Sequence, residues 1–316
     1  NFVAGYEQLA VARLVADYQR GSASRHHLEV RLIQEQNGMA GPARFRKEIL
    51  VDGVKRSVNE ATGHFAAVIF LPQMTRIIEG APDERRRYLN LALAQVVPGY
   101  GQALSDYQQA LTQRNALLKL LAERGGDPGQ LVYWDTILAD RGACLLHARI
   151  AAINELERLA ARIHSRLTHG AEVLQVIYQP AYEPLPQPEG QFALPIHTGI
   201  NRGGLSVDQI RGGFLDRLAA VRQEEIARGI TTIGPHRDEL RFLSNGIDLG
   251  DFGSRGQVRT ALLSLKLAEA LWMKDRSGQW PVMLLDEIMA ELDENRRADL
   301  LAYLGECEQT LVTTTD

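Results

Sequence analysis

The sequence predicts an α/β fold, a mixed-sheet core interrupted by an inserted helical lobe. Three observations carry that expectation. The first 80 residues are patterned mostly as strands, residues 82–167 switch to helical periodicity, and residues 257–314 alternate helix with strand. The last pattern is the crossover signature of a mainly parallel sheet.

The elements follow in order. His27 to Leu32 alternates apolar and polar residues, the period of a half-buried strand. Arg44 to Val51 reads as a second strand, and Asp52-Gly53 as a hairpin turn. Ala66 to Leu71 is a continuous apolar run ended by Pro72, which predicts a strand buried on both faces. Pro82 suits the first turn of a helix, with Asp83 and Glu84 complementing its dipole. Leu104, Tyr107, Leu111, Leu118 and Leu121 then form a helical stripe, with Arg114 at the heptad position in its gap. After the breaker Gly125 to Gly129 a second helix is expected to run to Leu167, making an antiparallel helical pair. Residues 172–178 read as a strand, and prolines from Pro184 to Pro195 mark a surface loop. Ser206 to Gln209 is a capping box opening a helix to Arg228. Strands 240–243 and 247–249 meet at Asn245-Gly246. Helix 257–274, strand 281–286, helix 294–304 and strand 309–314 complete the chain. The expected lobes are 1–80, 81–229 and 230–316, the first and last forming one core.

Composition narrows the function. The 316 residues carry 35 basic and 39 acidic side chains, with 45% hydrophobic and 23% charged residues, which is ordinary for a soluble globular protein. No apolar run approaches membrane-spanning length and no leader is evident. Cys144 and Cys307, far apart in sequence, suit neither a metal site nor a disulfide framework and fit a reducing cytoplasm. Because the chain starts at Asn1 and ends at Thr313-Thr314-Thr315-Asp316, it is expected to be a piece of a longer protein.

The strongest chemical signal is Pro281 to Glu287, a buried strand ending in two carboxylates. Ligands gather at the carboxyl ends of strands in open α/β sheets. Asp286 would hold Mg²⁺, directly or through water. Glu287 would polarise the water attacking a γ-phosphate. The alternative is a strand running into an acidic loop. Upstream, Phe252-Gly253-Ser254-Arg255-Gly256-Gln257 precedes a helix. It offers a hydroxyl, a close-approach glycine and free N–H groups for an anion, or simply a capped helix. Asp293 lies seven positions beyond Asp286 in Ala290-Glu291-Leu292-Asp293. No glycine-rich loop ending in Gly-Lys is present, since none of the five lysines follows a glycine. It is expected upstream of Asn1, and the stretch alone is expected to be inactive.

Arg85-Arg86-Arg87 sits early in a helix, where the dipole disfavours cations. Either an outside anion, DNA phosphate or a partner's acidic residues, compensates, or the arginines are solvated and paired with Asp83 and Glu84. Segment 82–167 holds 11 basic and 9 acidic residues, whereas 281–316 holds 2 and 9, so DNA fits the former better. His236 and Arg237 either brace the lobe or approach DNA, and the flanking Gly234-Pro235, which suggests a fixed turn, favours bracing.

Together the signature-like segment, the strand with two acids and the following Asp293 have the order and spacing of ABC-superfamily ATPase heads. The chain more specifically resembles the RecF family of SMC-related ATPases. The stretches that match are Phe70-Leu71-Pro72, Gly80 to Leu89, Gln113 to Lys119, Gly234 to Asp238, Phe252 to Thr260, Leu284 to Glu287, Glu291 to Asp293 and Thr313 to Asp316. The chain departs from the family at Pro72-Gln73-Met74, where members commonly carry Pro-Glu-Asp; Gln73 could serve as the glutamine reaching Mg²⁺ and the γ-phosphate. Threonines stand at 313–315, without a switch histidine.

The resemblance implies an ATP- and Mg²⁺-dependent homodimer in which two heads sandwich two nucleotides. Ser254 and Gly256 would act in trans on the partner's ATP, and Gln257 and Asp293 would also bind nucleotide. It implies slow, DNA-dependent ATP hydrolysis and action at single-strand/double-strand DNA junctions. There the protein would work with RecO and RecR to place RecA on gapped DNA. The alternatives are another SMC-like head, which the lack of room for a long arm disfavours, a transporter ATPase, or a non-catalytic dimerisation and DNA-binding module.

Overall fold

A computed structural model describes residues 11–19, 25–35, 44–185, 202–292 and 294–313. The chain divides into two compact units, Asn1–Ala66 and Ala67–Asp316.

The first unit is an antiparallel meander of β1 (Val11–Gln19), β2 (Arg25–Glu35), β3 (Arg44–Val51) and β4 (Val54–Arg56), in that spatial order. The β3–β4 turn uses Asp52 and Gly53, both with positive φ, as a two-residue hairpin turn requires. Strand β1 lacks alternation in its sequence because nearly all its side chains, Leu14 and Val15 included, are exposed. Glu29, buried on β2, accepts from Arg31 Nε at 2.7 Å and from Arg13 Nη2 at 3.0 Å, so sheet pairing places two guanidiniums on one buried carboxylate. The short helix α1 (Val58–Ala61) is closed by a Ser57/Glu60 capping box.

The second unit opens with β5 (Ala67–Phe70), a 3-10 turn (Pro72–Thr75) and α2 (Arg76–Glu79). Its helices continue with α3 (Pro82–Val96), α4 (Tyr100–Arg124) and α5 (Leu131–Leu167). The strand β6 (Leu174–Gln179) and helix α6 (Val207–Arg228) follow, then β7 (Glu239–Ser244), β8 (Ile247–Asp248) and α7 (Leu249–Phe252). The unit ends with α8 (Arg255–Ser277), β9 (Val282–Asp286), α9 (Glu294–Leu304) and β10 (Thr310–Thr313). A parallel sheet in the order β10-β9-β5 joins the beginning of this unit to its end, and β6-β7-β8 form an antiparallel sheet. The expected strand at 66–71 differs in burial. Val68 and Phe70 are buried, but Ala67 and Ile69 on the opposite face are only half-buried, so one face of β5 carries the core contact.

Helix α5 has 37 residues, roughly 55 Å at the α-helical rise. It packs along α4, α6 and α8. Arg114, in the gap of the α4 stripe, is fully buried. Its guanidinium meets Asp135 of α5 at 2.7 Å, Glu225 of α6 at 2.7 Å and the Thr231 hydroxyl at 2.8 Å. A charge in the stripe thus ties three helices, since a buried guanidinium is tolerated only when paired.

Candidate functional site

Parallel pairing brings three strand ends together. Phe70 stands opposite Leu285, and Thr313 opposite Asp286. Gln73, three residues past the end of β5, therefore leaves the sheet at the same carboxyl edge as Asp286 and Glu287, and its residue is exposed. Thr313 Oγ1 donates to Asp286 Oδ1, and the Glu287 N–H donates to Thr313 O at 3.3 Å. Glu287 is exposed and left-handed, with φ 55° and ψ 12°. Such a backbone costs an L-residue about 1–2 kcal/mol, and strain of this kind concentrates at functional sites. The donors at this edge are oxygens of two carboxylates, a hydroxyl and an amide. That set suits Mg²⁺, which takes one or two carboxylates and keeps waters. Among the described residues no group of three or more His, Cys, Asp or Glu side chains forms a metal cage.

The second candidate group is the start of α8. Ser254 caps it: its Oγ accepts from the Gln257 N–H at 3.3 Å, and Gln257 Oε1 accepts from the Ser254 N–H at 3.1 Å. Beneath them Gln257 Nε2 donates to Glu172 Oε1 at 3.3 Å. Gly256 is exposed. A Cβ added there would meet nothing within 4 Å, and its φ is not in the left-handed region. Nothing among the described residues requires a glycine at this position; close approach by an outside molecule would. Arg255, Val258 and Arg259 share a cleft of about 170 Å³ with Pro72 and Thr75 of the turn that bears Gln73. No hydrogen bond or ion pair among the described residues joins Ser254 or Gln257 to Asp286 or Glu287. Asp293 lies outside the described residues, as do Thr314 and Thr315.

The arginines of α3 stand apart from both groups and differ among themselves. Arg85 is bidentate on Glu239, at 2.6 and 3.0 Å, and donates to the carbonyls of Ile78 and Gly80. Arg86 is half-buried and donates to Asp238 O at 2.9 Å; burial pulls its pKa below the ordinary guanidinium value. Only Arg87 is exposed, with no polar partner among the described residues.

Those contacts lead to the turn at 234–238. Asp238, buried, accepts from Arg149 Nη1 at 2.6 Å, from the Tyr178 hydroxyl and from the Ala181 N–H at 3.0 Å. Arg149 also donates to Pro235 O at 2.7 Å and Asn90 Oδ1 at 2.9 Å. His236 Nε2 faces the Thr231 carbonyl at 3.3 Å and so must donate, which leaves Nδ1 to accept from the Tyr107 hydroxyl at 2.7 Å. Burial holds this imidazole neutral, with its pKa lowered to about 4. Gly234 has φ 119°, and a Cβ there would lie 2.5 Å from the Tyr107 oxygen. The bracing role read for His236 is the one this geometry performs.

Comparison with known proteins places the chain. It is 38% identical over 311 residues to the DNA replication and repair protein RecF of Chloroflexus aurantiacus, covering 96% of this chain and 75% of that protein. The chain belongs to the RecF family. A RecF protein from Listeria welshimeri is 36% identical over 262 residues, covering 83% of this chain and 66% of that one. Two solved structures of the recombination mediator RecF in the RecFOR pathway, with ATP and with the analogue ATPrS, share the fold. Their TM-scores are 0.76 and 0.75 at 27% and 28% identity, covering 98% of this chain and 76% of each RecF chain. No family model matches. The ATPase-head fold with a helical insert, expected from the sequence, is the RecF fold. Sequence reasoning did not find Thr313 as the partner of Asp286, Glu239 as the partner of Arg85, or Glu172 beneath Gln257. The terminal threonine run was the one local signal for any of these.

Proposed function

We propose that this chain forms most of the ATP-binding head of a DNA-recombination mediator. The observation that carries the reading is the convergence of Gln73, Asp286, Glu287 and Thr313 at one carboxyl edge in a RecF-family chain. Asp286 would hold Mg²⁺, with Thr313 orienting its carboxylate, while Gln73 reaches the same metal and the γ-phosphate. The bound metal supplies charge neutralisation of the phosphates. Glu287 holds the attacking water and takes its proton. Ser254 and Gly256 contact the nucleotide of a second copy, which explains a glycine that no neighbour among the described residues demands, and Gln257 and Asp293 contribute to nucleotide binding. The proposed lobes are 1–80 with 230–316 as the ATPase core and 81–229 as the helical lobe.

The partners would be DNA junctions, met through the helical lobe and Arg87, together with RecO and RecR, and through them RecA. We infer slow, DNA-dependent hydrolysis and a cytoplasmic site of action. No described helix is long and apolar enough to cross a membrane. The 316 residues hold no phosphate-cradling Gly-Lys loop, so by themselves they should not turn over ATP.

The test separates the two acids in the full-length protein. Glu287→Gln should still bind Mg²⁺-ATP but lose ~10²–10⁴-fold in hydrolysis, as expected for loss of a general base, and its dimers should live longer. Asp286→Asn should weaken Mg²⁺-ATP binding and dimer formation together. Normal turnover by Glu287→Gln would reduce that residue to part of an acidic loop.

A further inference from the structure

Beneath the first turn of α8 lies a polar cluster that the mechanism above does not use. His164, in the last turn of α5, has a side chain with no exposed surface. Its Nδ1 lies 3.1 Å from Ser264 Oγ, and the one Ser264 proton is committed to the Thr260 carbonyl at 2.7 Å. With that proton on the Thr260 carbonyl, Nδ1 donates. On the other side Nε2 lies 3.2 Å from Glu172 Oε2, a carboxylate oxygen that can only accept. Both ring nitrogens thus face acceptors. The contacts are fully satisfied only when the ring carries two protons. Glu172 also accepts from Ser244 Oγ at 2.8 Å, and its other oxygen accepts from Gln257 Nε2 at 3.3 Å. The chain of contacts therefore runs from a buried histidine through one carboxylate to the glutamine of the α8 capping box.

We propose that Glu172 is the positioning residue for the first turn of α8, holding Gln257, and that His164 grips Glu172 only in its doubly protonated form. When Nε2 loses its proton, a nitrogen lone pair faces the carboxylate oxygen, and Glu172 is left with two neutral donors. The hold on Gln257 then loosens. The charged groups facing the ring are Glu172 from the α5–β6 turn and Arg296 from α9; Thr260 and Ser264 of α8 and Ser244 of β7 present neutral groups. Burial pulls the His164 pKa below its ordinary value, against the opposing pull of Glu172. Burial alone would push Glu172 up, but its bonds from Ser244, His164 and Gln257 together hold it below the usual carboxylate range. The grip therefore strengthens as pH falls. Its consequence for nucleotide rests on the reading of α8 as the contact to a partner's phosphate; the grip itself does not.

Hydrogen–deuterium exchange over residues 254–258 of this chain, corrected for intrinsic rates between about pH 5 and pH 8, tests the grip across the range where histidine titrates. The wild type should show protection that rises toward low pH. Glu172→Ala should lose roughly tenfold in protection at low pH, the factor that one charge-assisted hydrogen bond represents, and should show no pH dependence. Glu172→Gln should keep the protection at every pH. Its amide can donate to neutral Nε2 while its carbonyl accepts from Gln257. Equal protection in wild type and Glu172→Ala, or a wild-type pH profile in Glu172→Gln, would overturn the proposal. If Glu172→Ala does not fold, the contrast between wild type and Glu172→Gln decides it alone. ATP-dependent self-association of the full-length protein, followed by sedimentation, should carry the same pH dependence and lose it in Glu172→Gln. If exchange responds and association does not, the grip stands and the reading of α8 as a nucleotide contact falls.

Discussion

The turn at 234–238 and the strand end at 286–287 are both dense in polar side chains, and their fates are opposite. In the turn, Asp238 has three donors and His236 has one partner on each ring nitrogen, all within the chain. At the strand end, Glu287 is exposed in a strained backbone, and Asp286 has a single hydroxyl partner among the described residues. A motif whose polar capacity is consumed internally is a brace. One whose capacity is left open, at a cost in backbone strain, is a candidate for meeting a ligand. The α3 arginines repeat the contrast within three residues: Arg85 is consumed by Glu239 while Arg87 remains open.

The largest effect should come from breaking the brace. Arg149→Leu leaves Asp238 buried without its cation, and should cost about 3–5 kcal/mol of stability, read as a large fall in thermal midpoint. No comparable loss is expected from Asp286→Asn. Next is acid lability. His236 titrates near pH 4 when folded, against an ordinary value near 6.5. Between those values the unfolded chain binds the extra proton, so stability falls as pH drops through that window, by on the order of 3 kcal/mol at most. His236→Gln keeps an acceptor for Tyr107 and a donor for Thr231, and should flatten the pH dependence of denaturant midpoints.

Smaller and opposite in sign is Glu287→Gly. It should raise stability by about 1 kcal/mol by relieving the left-handed backbone while removing hydrolysis in the full-length protein. A stability loss would show that Glu287 braces rather than waits. The smallest effect is electrostatic. Arg87→Ala should reduce the salt dependence of DNA binding by about 0.9 in log–log slope, and Arg85→Ala should instead lower stability.

The elements closed by local chemistry were legible in advance. The Ser206/Gln209 box and the Asp52-Gly53 turn fall where the pattern puts them. So do helix 294–304 and strand 44–51. The candidate acids were legible too, because an apolar strand running into two carboxylates is a short contiguous signal. Strand β1 was not, since an edge strand with exposed side chains on both faces has no alternation to read.

What the sequence by itself determined is the set of elements, their caps and the order of the motifs, because each depends on hydrogen bonds and burial periods spanning a few residues. Tertiary structure alone decided which polar groups are consumed. Glu239 reaches Arg85 across 154 positions. Gln73 shares an edge with Asp286 through the register of Phe70 on Leu285. Gln257 rests on Glu172, and through it on His164, only because α5 packs along α8. The physical reason is that a cap finds its partner within one helical turn, whereas a long-range ion pair is selected by strand register and helix packing.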